Sequence, residues 1–214
     1  SAYGSLQGVD AFFFFAVGST FLADATMGKF QICSPAVIGT FPAAALAYRR
    51  GDVRRPEPAV AQVLALEDLY AMQGAGVGNL TALDALREAD IPSGALVPGA
   101  VTEYDPLTFY VGPFTRSFGA SQDESRQADT SGAIDRSAKT IDSLGGQLHW
   151  NYGEGVATVD TRPTQAAAGF LAAAGPIQLS GVTIHMRNEY GSITVTSLDD
   201  RALDTSELVL IQAM

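Results

Sequence analysis

The stretch Gln147-Leu148-His149-Trp150-Asn151-Tyr152-Gly153-Glu154-Gly155-Val156-Ala157-Thr158-Val159-Asp160 decides the fold class. Residues 147–152 and 155–160 are β-rich and partly alternating, and glycines punctuate the join between them. Alternation puts Trp150 and Tyr152 on one face of the first strand. The same pattern recurs outward from here, at 107–118, 182–187, 192–198 and 207–213. Leu198-Asp199-Asp200-Arg201-Ala202-Leu203 reads as a hairpin turn. Several short strands with regular turn signals predict an antiparallel β-sandwich over residues 99–214. Residues 119–143, rich in Ser, Asp and Gln, read as a mobile loop with one short helix near Ser131–Ser137.

The N-terminal side is patterned differently. Val9-Asp10-Ala11-Phe12-Phe13-Phe14-Phe15-Ala16-Val17 is a continuous apolar run closed by Gly18-Ser19, which suits a strand buried on both faces. Ser34 is a good N-cap, Pro35 fits the first helical position, and residues 36–48 are apolar and Ala-rich. Arg49 and Arg50 complement a helix C-terminus, Gly51 fits the C′ position, and Pro42 predicts a kink or a split. Together these form one βα unit, which cannot bury both faces of its strand alone. Residues 9–17 are therefore expected to pair with another polypeptide, with an upstream segment, or as an added strand of the sandwich. Residues 52–62, with Pro56 and Pro58, read as a linker. Two short helices follow, Leu64–Met72 and Leu80–Ala89, on either side of the Gly74–Gly78 turn; Thr81 and Asp84 resemble a capping box. The expected fold is α+β, divided at 1–55, 56–98 and 99–214.

The chain has 214 residues and a net charge of −10; 47% of residues are hydrophobic and 17% charged, which excludes wholesale disorder. Residues 1–55 carry five basic and three acidic side chains, and residues 56–214 carry eight and twenty. That acidic balance argues against a nucleic-acid partner. One cysteine, Cys33, excludes an intrachain disulfide framework and a Cys-cluster zinc site. With only His149 and His185 beside it, no metal and no cofactor is expected. The apolar run 11–17 is too short for a membrane span and lacks a basic flank. Both chain ends read as cut or processed.

Each conspicuous motif has a plain structural reading. Arg50-Gly51-Asp52 matches an integrin-binding tripeptide, but a helix end explains Arg50 and Gly51. Asn79-Leu80-Thr81 is a glycosylation sequon in which Thr81 serves as a helix cap. Gly74-x-Gly-x-Gly78 follows a helix and lacks a lysine for phosphate, so it reads as a flexible turn. No motif supplies Cys33 with a base. Trp150 and Tyr152 would stack on a sugar ring if exposed, or anchor the core if buried. Asn188-Glu189 matches the dipeptide carrying the general acid of many retaining glycosidases, but Tyr190-Gly191 and a further strand follow it, as in a hairpin. Trp150, Tyr152 and Glu189 are the candidate carbohydrate contacts.

The order of pieces carries a resemblance. Gln7-Gly8-Val9-Asp10-Ala11-Phe12-Phe13-Phe14-Phe15 resembles the last strand of the (β/α)8 barrel in large bacterial glycoside hydrolase-like proteins. Ser34–Gly39 and Tyr48–Val53 resemble the helix and exit after it. Gly155–Gln165, Ala168-Gly169-Phe170 and Asn188-Glu189-Tyr190-Gly191-Ser192 resemble the C-terminal β-sandwich of the same proteins. The resemblance implies a secreted or periplasmic protein acting on poly- or oligosaccharide, with its catalytic carboxylates upstream of Ser1. Residues 1–55 would then be a barrel remnant. Phe13–Phe15 stand where such barrels often place a Trp platform, and no catalytic residue is carried over. The alternative is a non-catalytic module that binds carbohydrate or assembles an extracellular structure.

Overall fold

The structure, a computed structural model, describes residues 1–13, 38–71 and 104–214. The fold is α+β and mostly β. Its centre is a seven-stranded antiparallel sheet of β4 (Ile134–Asp135), β5 (Thr140–Asp142), β6 (Leu148–Asn151), β7 (Val156–Asp160), β8 (Thr164–Gly169), β11 (Gly191–Ser197) and β12 (Val209–Ala213). The spatial order is β12-β11-β8-β7-β6-β5-β4, so neighbours in sequence are neighbours in space except for one excursion. That excursion, between β8 and β11, holds the helix Leu171–Ala174 and a hairpin of β9 (Ile177–Gln178) and β10 (Thr183–Ile184).

Strand alternation gives each face of the sheet its own core. Val156, Ala167 and Ile193 point to one face, where Leu171, Leu179 and Ile184 from the excursion cover them. This small hairpin layer is what lies opposite the large sheet. Leu148 and Val159, directly paired across β6 and β7, point to the other face and meet Leu6 and Val53. That second face is closed by α1 (Ala2–Gln7) and α2 (Phe41–Arg50). The Ala43 N–H donates to Gln212 Oε1 of β12 (2.6 Å), which ties α2 to the sheet edge.

Both helices end in Schellman motifs. Val9 and Gly8 N–H donate to the Gly4 and Ser5 carbonyls, and Asp52 and Gly51 N–H donate to those of Ala47 and Tyr48. Gly51 sits at φ 68°, the left-handed cap expected of it. The first motif explains why Val9–Phe13, the described part of the expected strand 9–17, is not a strand. Capping turns the chain back over α1, the Tyr48 hydroxyl donates to the Val9 carbonyl, and the Phe12 ring leans on Tyr48 (centroids 5.1 Å). Phe13 is left 92% exposed. Phe14–Val17, Ser34, Pro35, the Gly74–Gly78 turn and the helix to Ala89 lie outside the described residues.

Of the kink or split expected at Pro42, the structure has the split: Ile38 is helical, Gly39 and Thr40 form a turn, and α2 restarts at Phe41 with Pro42 in its first turn, where the missing N–H costs nothing. Other expectations are corrected. The end of the expected linker 52–62 and the start of the helix expected at 64–72 are instead β1 (Val60–Ala65); residues 52–59 hold no helix or strand, and the helix begins later, as α3 (Leu66–Tyr70). β1 is buried because it is the central strand of a second sheet. It pairs parallel with β2 (Phe114–Gly119) and antiparallel with β3 (Arg126–Gln127). Pairing on both edges overrides the helical leaning of Ala and Leu. The strand expected at 107–118 begins instead with helix α4 (Thr108–Val111) and becomes strand only after Pro113. The short helix expected near Ser131–Ser137 is the β4–β5 hairpin. The expected turn at 198–203 opens a longer loop that closes where Leu198 N–H reaches the Leu208 carbonyl. Inside it, Asp199 accepts from the Ser206 hydroxyl and the Glu207 N–H, which hold its carboxyl below its ordinary range. No helix among the described residues is long and apolar enough to cross a membrane.

Candidate functional site

The aromatic face of β6 is the candidate site. Trp150 lies opposite Ala157 on the strand face shared with Leu148 and Val159. Tyr152 follows it on the same side, with ring centroids 5.7 Å apart, as alternation predicted. Two rings from other elements extend the line. Tyr110 of α4 meets Trp150 at 4.7 Å, and Tyr3 of α1 meets Tyr110 edge-on at 5.3 Å. Trp150, Tyr152, Tyr110 and Tyr3 are all half-buried. The arrangement therefore combines the two readings of Trp150. One side of the ring packs between helix and sheet, and part stays open to solvent. Local sequence announced Trp150 and Tyr152. It did not announce Tyr110 and Tyr3, whose elements reach the strand only through tertiary packing.

On the opposite face of β6, His149 Nδ1 lies 2.7 Å from Asp142 Oδ1 across the β5–β6 pair. Glu189 is not part of the aromatic line. It sits in the exposed segment before β11, and β7 and β8 separate that strand from β6. Its neighbour Tyr190 packs edge-on against Phe170 (5.3 Å), a pair both of whose rings are exposed.

Tyr3 is expected to make the stability of the fold sensitive to alkali. Burial first, then Tyr110 and Asp142, push the Tyr3 phenol up from 10.0 to about 12. A raised phenol favours its neutral form in the folded chain. Its contribution is whole below pH 10 and is lost as pH climbs toward 12. Allowing for solvent screening, wild type should lose about 1–2 kcal/mol more than Tyr3→Phe across that window. Urea unfolding of both proteins at three alkaline pH values measures the difference; parallel losses would remove the Tyr3 contribution.

The tripeptide Arg50-Gly51-Asp52 has a structural place. Arg50 Nη2 and Nε donate to the two Asp52 carboxylate oxygens (2.6 and 3.1 Å). Asp52 also accepts from Thr164 Oγ1 (2.6 Å), and its side chain is 3% exposed. Arg50 reaches Thr196 Oγ1 (2.9 Å) and the Ser197 carbonyl (2.6 Å) as well. The two charges bind each other and clip α2 to β8 and β11, instead of facing a receptor. Among the described residues, no group of three His, Cys, Asp or Glu side chains is placed to hold a metal ion.

No family model matches the chain, and neither a curated protein nor a solved structure is similar to it.

Proposed function

We propose that this chain is the accessory end of a glycoside hydrolase-like protein acting on poly- or oligosaccharide, and that it contacts the glycan without cleaving it. The observation that carries the reading is the half-open pair Trp150–Tyr152, backed by Tyr110. Sugar rings present C–H-rich faces, and an aromatic surface held rigid from behind binds them with little loss of side-chain freedom. The two carboxylates of glycoside hydrolysis, placed around an oxocarbenium-like transition state, would come from outside this chain.

Affinity electrophoresis through gels containing neutral polysaccharides tests the proposal. Wild type should be retarded, and Tyr152→Ala should lose at least about half of that retardation, since one stacked ring contributes on the order of 1 kcal/mol. Trp150→Phe keeps the packing against Tyr110 and should lose less. Unchanged migration of both variants would remove the stacking role.

A second reading, assembly with another polypeptide, draws on a different observation. Phe13 is 92% exposed and Phe118, on the edge strand β2, is 60% exposed. Under that reading the gels show no retardation, and light scattering shows stable oligomers.

A further inference from the structure

The end of the large sheet opposite Tyr152 gathers three arginines. There the β5–β6 and β7–β8 turns approach the Pro-rich segment after α2. They enclose a cleft of ≈ 380 Å³ lined by Arg54, Arg55 and Arg162, with Gln147, Pro56 and Pro163. None of the three guanidinium groups has a carboxylate partner among the described residues; the ion-paired arginines are Arg50, Arg136 and Arg201. The carboxylate lining this cleft is Asp52, whose charge is already taken by Arg50 at 2.6 Å. Three arginines with no ion pair among the described residues thus line one cleft in a chain whose net charge is −10. Elsewhere such an acidic molecule repels anions, so the local field at this cleft is set by its own arginines.

The site is braced from both sides. Arg54 N–H donates to Gln147 Oε1 (2.8 Å), which fixes the amide and leaves its N–H2 as a donor. Arg55 lies against Gly8, where an added Cβ would stand 2.7 Å from its Nη1. Pro56 and Pro163 each follow one of the arginines and stiffen the backbone there. Arg54 and Arg55 also line a wider depression of ≈ 700 Å³ that continues past Arg49 and is bordered by Asp10.

We infer that the Arg54–Arg55–Arg162 cleft binds the carboxylate groups of an acidic glycan, a polymer of uronic acid. The guanidinium fork matches a carboxylate with two parallel hydrogen bonds. The cleft is within the size range of small-molecule sites, and so has room for a sugar unit and not only a small ion. The amide of Gln147 suits a ring hydroxyl, and the adjoining depression gives a polymer a path onward. The inference deepens the glycan reading and rests on it, while using residues separate from Trp150 and Tyr152.

The test is affinity electrophoresis and titration calorimetry of the whole chain with polygalacturonate, with a neutral glucan and a single-stranded oligonucleotide as comparisons. Polygalacturonate should bind at least about tenfold more tightly than the glucan, and less tightly as salt rises. Arg162→Gln and Arg55→Gln should each weaken that binding at least about threefold, Arg162→Lys less, and Arg136→Gln not at all. Neutral-glucan retention should persist in all four variants. Equal binding of polygalacturonate and glucan, or insensitivity to both Gln substitutions, overturns the acidic-glycan site while leaving the aromatic reading intact. Equal affinity for the oligonucleotide also overturns it, because the cleft would then be a general polyanion surface. Arginine-dependent uronate binding with no neutral retention would sink the aromatic reading alone.

Discussion

Asp52→Ala is expected to destabilise the chain by about 3 kcal/mol, the scale for removing one partner of a buried ion pair. The loss has two parts. Arg50, 15% exposed, keeps its charge but loses its two-point partner. Thr164 Oγ1 loses an acceptor in a buried site. Arg50 keeps its own bonds to Thr196 Oγ1 and the Ser197 carbonyl, so α2 stays tied to β11. Asp200, 3.2 Å from Arg50 but 79% exposed, offsets only part of this. Asp52→Asn keeps the shape and one acceptor, so it should cost less, about 1–2 kcal/mol. Urea midpoints with an unchanged m-value would measure both. A change under about 0.5 kcal/mol for the alanine variant would mean that water already serves the pair.

Gly169→Ala should cost at least about 3 kcal/mol and lower the yield of folded chain. Gly169 sits at φ 128°, a conformation side chains rarely adopt. It also ends the interior strand β8, opposite Val156 on one side and Gly191 on the other. An added Cβ would overlap the Gly155 carbonyl oxygen and stand 2.9 Å from that carbonyl carbon and 3.0 Å from Val156 Cα. All three are backbone atoms, so the strain cannot relax by a rotamer change. Relief would require breaking the bond from Phe170 N–H to the Gly155 carbonyl, which closes this end of the sheet. Gly132→Ala, with nothing within 4 Å of its added Cβ, is the matched control. Thermal melts of the pair decide the matter: equal midpoints would show that the β7–β8 junction yields.

Legibility in the sequence followed the range of the interactions concerned. β6, β7 and β11 were readable because alternation and turn residues lie within a few positions of each other. The end of α2 was readable for the same reason: Arg49, Arg50 and Gly51 state a helix terminus locally. β8 was harder, since Thr-Gln-Ala-Ala-Ala-Gly carries no β signal, and only pairing with β7 and β11 makes it a strand. β1 was misread because its neighbours β2 and β3 arrive from about fifty residues or more downstream. The aromatic pair of the candidate site was visible from alternation, whereas the rings behind it come from α1 and α4.

Taken alone, the amino-acid order determined that residues 147–213 are mainly antiparallel β-structure, that α2 ends at Gly51, and that Trp150 and Tyr152 share a face. Tertiary structure alone decided that Arg50 and Asp52 clip a helix to the sheet, and that Arg54, Arg55 and Arg162 line one cleft. The first group depends on backbone periodicity and capping, which act between residues close in sequence. The second depends on which hairpin turns emerge at the same end of the sheet, and strand order and register set that across more than a hundred residues.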